Sequence, residues 1–295
     1  MGGTLVGEMP LAAIISKPQK AELETILPEL QEWLGGRGWT SVLDQESAAY
    51  LPGAEGVARA KLPERKPDLA VVLGGDGTLL AAARAFAHTN VPLLSVNLGS
   101  LGFLTEVPLG DLYTTLEAWC DGCATIEERS MMRAELFCAG QGKVTRRWDA
   151  LNDVVVAKGT IARMADFAVE IDKQPVATFR ADGVIVTTPT GSTAYNLAAD
   201  GPIVMPNVNC MVVTPICPHL LTIRSIVVPG ESAISVKVVG VPNETYLTVD
   251  GQEAVAMHVG DEVHCCRSEY SVRLLRLKPN GLFNVLRSKL KWGER

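Results

Sequence analysis

Two hydrophobic periodicities divide the chain. Up to residue 129, short unbroken apolar runs alternate with segments whose apolar positions recur every three or four residues. The runs at 11–16, 39–43, 69–73 and 93–96 read as strands, and the segments at 21–34, 78–87 and 111–120 as helices. Gly35-Gly36 stops the first helix, and Pro28 within it predicts a kink or a late start. Strands that alternate with helices make a parallel sheet covered on both faces. From residue 130 the period falls to two and turn pairs take over. Strands are expected at 167–172, 176–180, 184–188, 225–228, 233–239, 246–249, 262–266 and 271–277. Turns fall at 173–175, 182–183, 250–251 and 260–261, with one short helix near 193–199. The fold class is therefore an α/β N-terminal domain, residues 1–129, followed by an all-β, sandwich-like C-terminal domain, residues 130–275.

Composition narrows the partners. The 295 residues carry a net charge of −6 and are 47% hydrophobic, with a pI near 5.4. A nucleic-acid partner would want a basic face, so none is expected, and any anionic ligand must be held by local features. Seven cysteines, an odd number in a chain of this length with no secretory signal, fit a reduced, cytoplasmic setting. Cys120-Asp121-Gly122-Cys123 has metal-like spacing, but no second pair completes a zinc site. Residues 201–223 carry no Asp, Glu, Lys or Arg and are long enough to span a bilayer. Pro202, Pro206, Pro215 and Pro218 break any such helix, so the stretch reads as buried strands and turns, with no membrane partner.

Four motifs carry chemistry. Gly74-Gly75-Asp76-Gly77-Thr78 leaves a strand and enters a helix, the setting of a phosphate-binding loop, with Thr78 as helix cap. It is not a dinucleotide fingerprint, because Leu80 stands where the third glycine belongs, and no Gly-Lys-Ser/Thr follows. Asp76 is anomalous beside a bound phosphate unless that phosphate is being transferred; then a carboxylate can take the acceptor's proton while a divalent cation screens the charge. Asn97 to Leu104, NLGSLGFL, leaves the carboxyl edge of the same sheet, where Phe103 either lines a base pocket or is one core aromatic in a Gly-rich turn. Asn152-Asp153 precedes an apolar strand, where an amide and a carboxylate can bond a ribose diol or adenine amine, or form a turn. Arg180 and Asp182 flank a turn before a strand that ends in TPTGSTAY, 188–195. Thr190, Ser192 and Thr193 offer hydroxyls, Gly191 permits close backbone approach, and the helix that follows adds dipole attraction for phosphate.

In order and spacing these motifs, with Asp250-Gly251-Gln252, resemble the NAD kinases over nearly the whole chain. GGDGT alone is shared with diacylglycerol and sphingosine kinase relatives; TPTGSTAY is not expected there. The resemblance implies phosphoryl transfer from ATP, or polyphosphate, to the 2′-hydroxyl of the adenosine ribose of NAD, with Mg²⁺ or Mn²⁺ as the cation. By position it implies Asp76 as catalytic base and Gly77 as substrate-placing. Phe103, Asn152, Asp153, Arg163, Arg180 and Asp182 would line the nucleotide site, with Asp182 toward the nicotinamide. Thr193, Ala194, Tyr195, Asn196, Leu197, Ala198 and Gln252 would complete it. It further implies a homodimer or homotetramer, a site between the domains, and a last segment, 276–295, packed back on the first domain. Two departures stand out: Asp153 replaces the family's usual Glu, and Ala81 occupies a position that is basic in some members. A lipid or polyol kinase of the wider superfamily, and a non-catalytic NADP(H) sensor, are the alternatives.

Overall fold

The computed structural model describes residues 9–99, 102–159, 164–240, 244–276 and 282–292. The chain forms two compact units, Met1–Glu128 with Val272–Arg295, and Arg129–Ser271.

In the first unit, β1 (Leu11–Ser16), β2 (Thr40–Asp44), β3 (Gly56–Val57), β4 (Leu69–Gly74) and β5 (Leu93–Asn97) form a parallel sheet in the order β5-β4-β1-β2-β3. A late strand, Glu262–Arg276, joins it in parallel with Leu274 opposite Leu93. Every residue of β4 and β5 is buried, so the apolar runs mark two covered faces instead of alternation. The helices are α1 (Leu23–Gly35), α2 (Gln45–Ala48), α3 (Asp76–Phe86) and α4 (Leu112–Cys120). Leu23, Leu27 and Leu30 of α1 pack with Ile14, Val71, Leu73 and Val96 of the sheet in one core. α1 starts well before Pro28, which therefore lies inside the helix and does not delay it. The chain runs outward from β1 through β2 to β3, then returns to β4 on the other side of β1. That reversal puts the topological switch point between β1 and β4, and GGDGT leaves β4 at its carboxyl end there.

The second unit contains two sheets. The strands are β7 (Thr125–Phe137, after the short β6, Val107–Pro108, of the first unit), β8 (Val144–Ala150), β9 (Asp153–Lys158), β10 (Ala165–Ile171), β11 (Gln174–Ala181), β12 (Gly183–Thr187), β13 (Cys210–Ile216), β14 (Ile226–Pro229), β15 (Ile234–Val239), β16 (Thr245–Val249), β17 (Glu253–Met257) and β18 (Glu262–Arg276). One sheet holds β11-β10-β15-β18 with β7 and β8; the other runs β14-β13-β12-β9-β16-β17. Phe167, Val169 and Val236 of the first sheet share a core with Val154, Val184, Val213 and Leu247 of the second, so the sheets pack face to face. β12 and β13 are buried at every position. Val155, Ile185 and Ile216 pack with Ala199, and Val204 packs with Val212, so the segment after β12 covers the second sheet's outer face.

Several local expectations shift, for physical reasons. The 173–175 turn lies one residue earlier: Asp172 and Lys173 both have positive φ, joining β10 to β11 through a two-residue turn. Asp182-Gly183 is no hairpin turn; it is where the chain passes from β11 in one sheet to β12 in the other. The strands expected at 262–266 and 271–277 are one, β18, because the polar residues between them have partners: Ser268 donates to Asp149 at 2.5 Å and Glu269 accepts from Arg133 at 2.9 Å. β7 and β8 escape the apolar pattern because their charges face each other across the ladder, Arg133 opposite Asp149 and Glu135 opposite Arg147. In the 201–223 stretch β13 is buried, but Leu220 and Leu221 are exposed.

Candidate active site

The first constellation lies at the switch point of the first unit. α3 begins at Asp76, with Gly75 as N-cap, two residues before the expected start; Thr78 is inside the helix and does not cap it. Asp76 thus occupies the first helical position, where the helix dipole favours a carboxylate. The loop after β5 folds over it. Asp76 Oδ2 accepts from Phe103 N–H at 3.0 Å; Oδ1 accepts from Leu104 N–H at 3.2 Å, Thr105 N–H at 3.0 Å and the Thr105 hydroxyl at 2.9 Å. The two motifs, read separately in sequence, are one structure. Gly102 is what lets them meet: a Cβ there would stand 2.0 Å from Asp76 Oδ1. Gly77 is exposed in the first turn of α3, and Phe103 is half-buried. Lys289, on the C-terminal helix α6 (Leu282–Leu290), has its ammonium 5.9 Å from the Phe103 ring centre. Asn97, Leu98, Gly99, Pro108 and Leu109 line an adjoining cleft of about 290 Å³.

The second constellation lies in the second unit, around a cleft of about 320 Å³ lined by Asn152, Asp153, Ala194, Tyr195, Thr248 and Asp250 among others. Asp250 begins the turn between β16 and β17, and its carboxylate accepts from the N–H groups of Leu151, Asn152 and Asp153 at 3.0, 2.7 and 3.1 Å. It fixes the backbone of the Asn-Asp pair and brings a negative charge to Asp153. Burial, and then that charge, push the Asp153 carboxyl up to about 7, against one favourable contact from the Tyr195 N–H. Asn152 is buried, and its Oδ1 has no hydrogen-bond partner among the described residues. A buried acceptor left open costs about 1–3 kcal/mol, which a ligand donor would recover.

The TPTGSTAY loop behaves differently from its sequence reading. Its hydroxyls serve protein backbone: Thr188 donates to Leu151 O, Ser192 to Pro189 O and Thr193 to Thr190 O. Gly191 gives close approach to protein, not ligand, since a Cβ would stand 2.2 Å from the Asn152 carbonyl oxygen. The helical part is a 3₁₀ turn, Thr190–Thr193, and a single turn, α5 (Tyr195–Ala198), too short for much of a dipole. Asn196 is spent internally, donating to Ser192 O and Pro202 O and accepting from Thr214. What reaches the cleft is Ala194 and the half-exposed Tyr195. Leu197, Ala198, Thr193 and Gln252 are not among the cleft-lining residues. Arg180 is exposed and paired with Asp166 at 3.0 Å, and Asp182 pairs with Lys158 at 3.1 Å; neither lines the cleft. Arg163 lies outside the described residues. Sequence reading placed Asn97 in the NLGSLGFL motif and Asp250 in Asp250-Gly251-Gln252 without giving either a role at the site, and it missed Thr105, one residue past the first motif. Asp250-Gly251 had a signal as a turn and through the resemblance, and Thr105 had none. The seven cysteines are free thiols, and among the described residues no cluster of side chains suits a metal ion.

The family models decide the affiliation. Residues 12–123 match the ATP-NAD kinase N-terminal domain and residues 151–277 the ATP-NAD kinase C-terminal domain. The chain belongs to the NAD kinase family. It is 60% identical to a NAD kinase from Acidobacterium capsulatum over 283 residues, 96% of this chain and 99% of that one. A NAD kinase from Archaeoglobus fulgidus, solved in complex with ATP, superposes with a TM-score of 0.73 at 26% identity, over 95% of this chain and 98% of that one. A yeast NADH kinase, solved with NADH, shares the fold with a TM-score of 0.87 at 24% identity, over 97% and 89%. No helix among the described residues is long and apolar enough to cross a membrane.

Proposed function

We propose that this chain transfers the γ-phosphoryl group of ATP to the 2′-hydroxyl of the adenosine ribose of NAD, giving NADP and ADP. The observation that carries the reading is the Asp76 carboxylate, gripped by the loop after β5 at the switch point of the parallel sheet. Phosphoryl transfer needs a positioned acceptor and a group to take its proton. The hydroxyl gives its proton to Asp76 as its oxygen bonds to the γ-phosphorus. The bond from that phosphorus to the bridging oxygen breaks, and its electron pair leaves on ADP. A Mg²⁺ or Mn²⁺ ion, when bound with the nucleotide, would offset the charge between the Asp76 carboxylate and the phosphates.

In this reading residues 1–129 hold the phosphoryl chemistry, with Gly77 and Phe103 beside the substrate, and 276–295 complete that domain. Residues 130–275 hold NAD. The open Asn152 Oδ1 accepts from the adenine amine or a ribose hydroxyl, and Asp153 takes the ribose diol. Thr193 to Ala198 and Gln252 complete the nucleotide contacts through their backbone and surface, and Arg163, Arg180 and Asp182 serve the dinucleotide's outer parts. The protein works in the cytoplasm as a homodimer or homotetramer.

A turnover assay tests this directly. NAD and NADH as acceptors are crossed with ATP and polyphosphate as donors in Mg²⁺ buffer, with a diacylglycerol as the lipid control. NADP or NADPH formation supports the reading. Phosphorylation of the lipid alone, or nucleotide binding without turnover, rejects it in favour of the superfamily kinase or the sensor.

A further inference from the structure

Asp76 is held unevenly. Three donors converge on Oδ1, from Leu104 N–H, Thr105 N–H and the Thr105 hydroxyl, whereas Oδ2 takes the Phe103 N–H alone. The hydroxyl contact has a defined direction. Thr105 is fully buried, and its Oγ1 also meets Asn97 Nδ2 at 2.9 Å. The Asn97 amide is oriented at both ends: its Oδ1 accepts from Gly99 N–H at 2.6 Å, so its Nδ2 is the end at Thr105, where it also reaches the carbonyl at 3.3 Å. A hydroxyl that already accepts a donor turns its own proton the other way, here onto Asp76. The loop that supplies these donors is itself anchored. The Leu104 carbonyl accepts from both terminal nitrogens of buried Arg276, at 3.2 and 3.3 Å, and Arg276 pairs with Glu106 and Glu127.

We propose that Asn97 and Thr105 are positioning residues that hold Asp76 by Oδ1, so that Oδ2 is the oxygen that meets the acceptor hydroxyl. The inference rests on Asp76 being the base. An oxygen with three donors has no room for a fourth partner, while an oxygen with one keeps an open lone pair. The relay starts at the carboxyl end of β5, ends at the first residue of α3, and fixes the carboxylate's rotation about its last bond.

Four variants test it: Thr105→Val removes the hydroxyl at nearly constant volume, Thr105→Ser keeps it, Asn97→Asp replaces the donor with an acceptor, and Asp76→Asn removes the base. Thr105→Val should lower kcat about 10- to 100-fold with KM for NAD within about twofold, because misplacement of a reacting group acts on the chemical step. Thr105→Ser should recover kcat to within about threefold of wild type. Asn97→Asp, with Thr105 intact, should lower kcat in the same way, which keeps the test alive if Thr105→Val fails to fold. In an Asp76→Asn background, Thr105→Val should cost nothing further. Wild-type kcat in both Thr105→Val and Asn97→Asp, or equal impairment of the Val and Ser variants, overturns the relay. If those variants are fully active while Asp76→Asn is dead, the relay alone fails. If Asp76→Asn is fully active, the base assignment fails and the relay with it.

Discussion

Asp76 and Asp153 are the same side chain in opposite surroundings. Asp76 is half-exposed at a helix start, with four hydrogen-bond donors on its two oxygens. Asp153 is buried and receives one backbone N–H; burial first, and then the charge of Asp250, push it up to about 7. The difference teaches that environment, more than residue type, assigns roles to carboxylates. A carboxylate fixed by donors is an oriented acceptor for a proton in transfer. One strained by burial and a like charge changes its charge state near neutrality and, in the proposed function, gains from a ligand's hydroxyls.

Removing the cation should break the first half of this contrast most completely. EDTA is expected to abolish turnover and Mg²⁺ or Mn²⁺ to restore it, while NAD binding by calorimetry survives; turnover in metal-free buffer would remove the cation from the account. Next in size is Gly102→Ala. Its Cβ would overlap Asp76 Oδ1, so the loop must move off the carboxylate. A kcat about 100-fold lower, with a stability loss of about 1–3 kcal/mol, is expected from steady-state kinetics and denaturant melts.

The second half is tested by pH. The folded-state value of Asp153 lies above its ordinary 3.8, so the folded protein binds the proton more tightly than the unfolded chain. Its contribution to stability is therefore greatest at the acid end and falls as pH rises from about 4 to about 7, with a slope of at most about 1.4 kcal/mol per pH unit. Affinity for NAD should move oppositely, KM falling with rising pH as the carboxylate ionises near 7 and becomes a full acceptor for the ribose diol. Asp153→Asn should flatten both curves, and an unchanged pair of profiles would detach Asp153 from the site. Smallest is Arg180→Ala, which loses an exposed pair with Asp166. An unaltered melting temperature with KM for NAD raised a few-fold is expected; an unchanged KM would leave Arg180 outside the site.

Much of this was legible in the chain because the relevant signals are local. Unbroken apolar runs at 69–73 and 93–96 report strands buried on both faces, and the glycines of GGDGT report a strand-to-helix turn. The gripping of Asp76 was not legible, since Thr105 reaches it across 29 positions. Nor was the role of Asp250, which acts on residues 97 to 99 positions away, whereas its sequence motif shows only a tight turn and the resemblance. β7 and β8 were hidden by charges that only pairing across the ladder explains. The TPTGSTAY hydroxyls have a structural use that their density in sequence does not reveal: Thr188, Ser192 and Thr193 donate to backbone carbonyls.

The most direct measurement compares wild type with Asp76→Asn for NADP formation from NAD and ATP in Mg²⁺, beside calorimetric titration of each with NAD. The account predicts NADP and ADP in equal amounts from wild type. It predicts NAD binding within a few-fold in the variant, with kcat lowered by at least about 100-fold. An Asp76→Asn protein that makes NADP at the wild-type rate would contradict it.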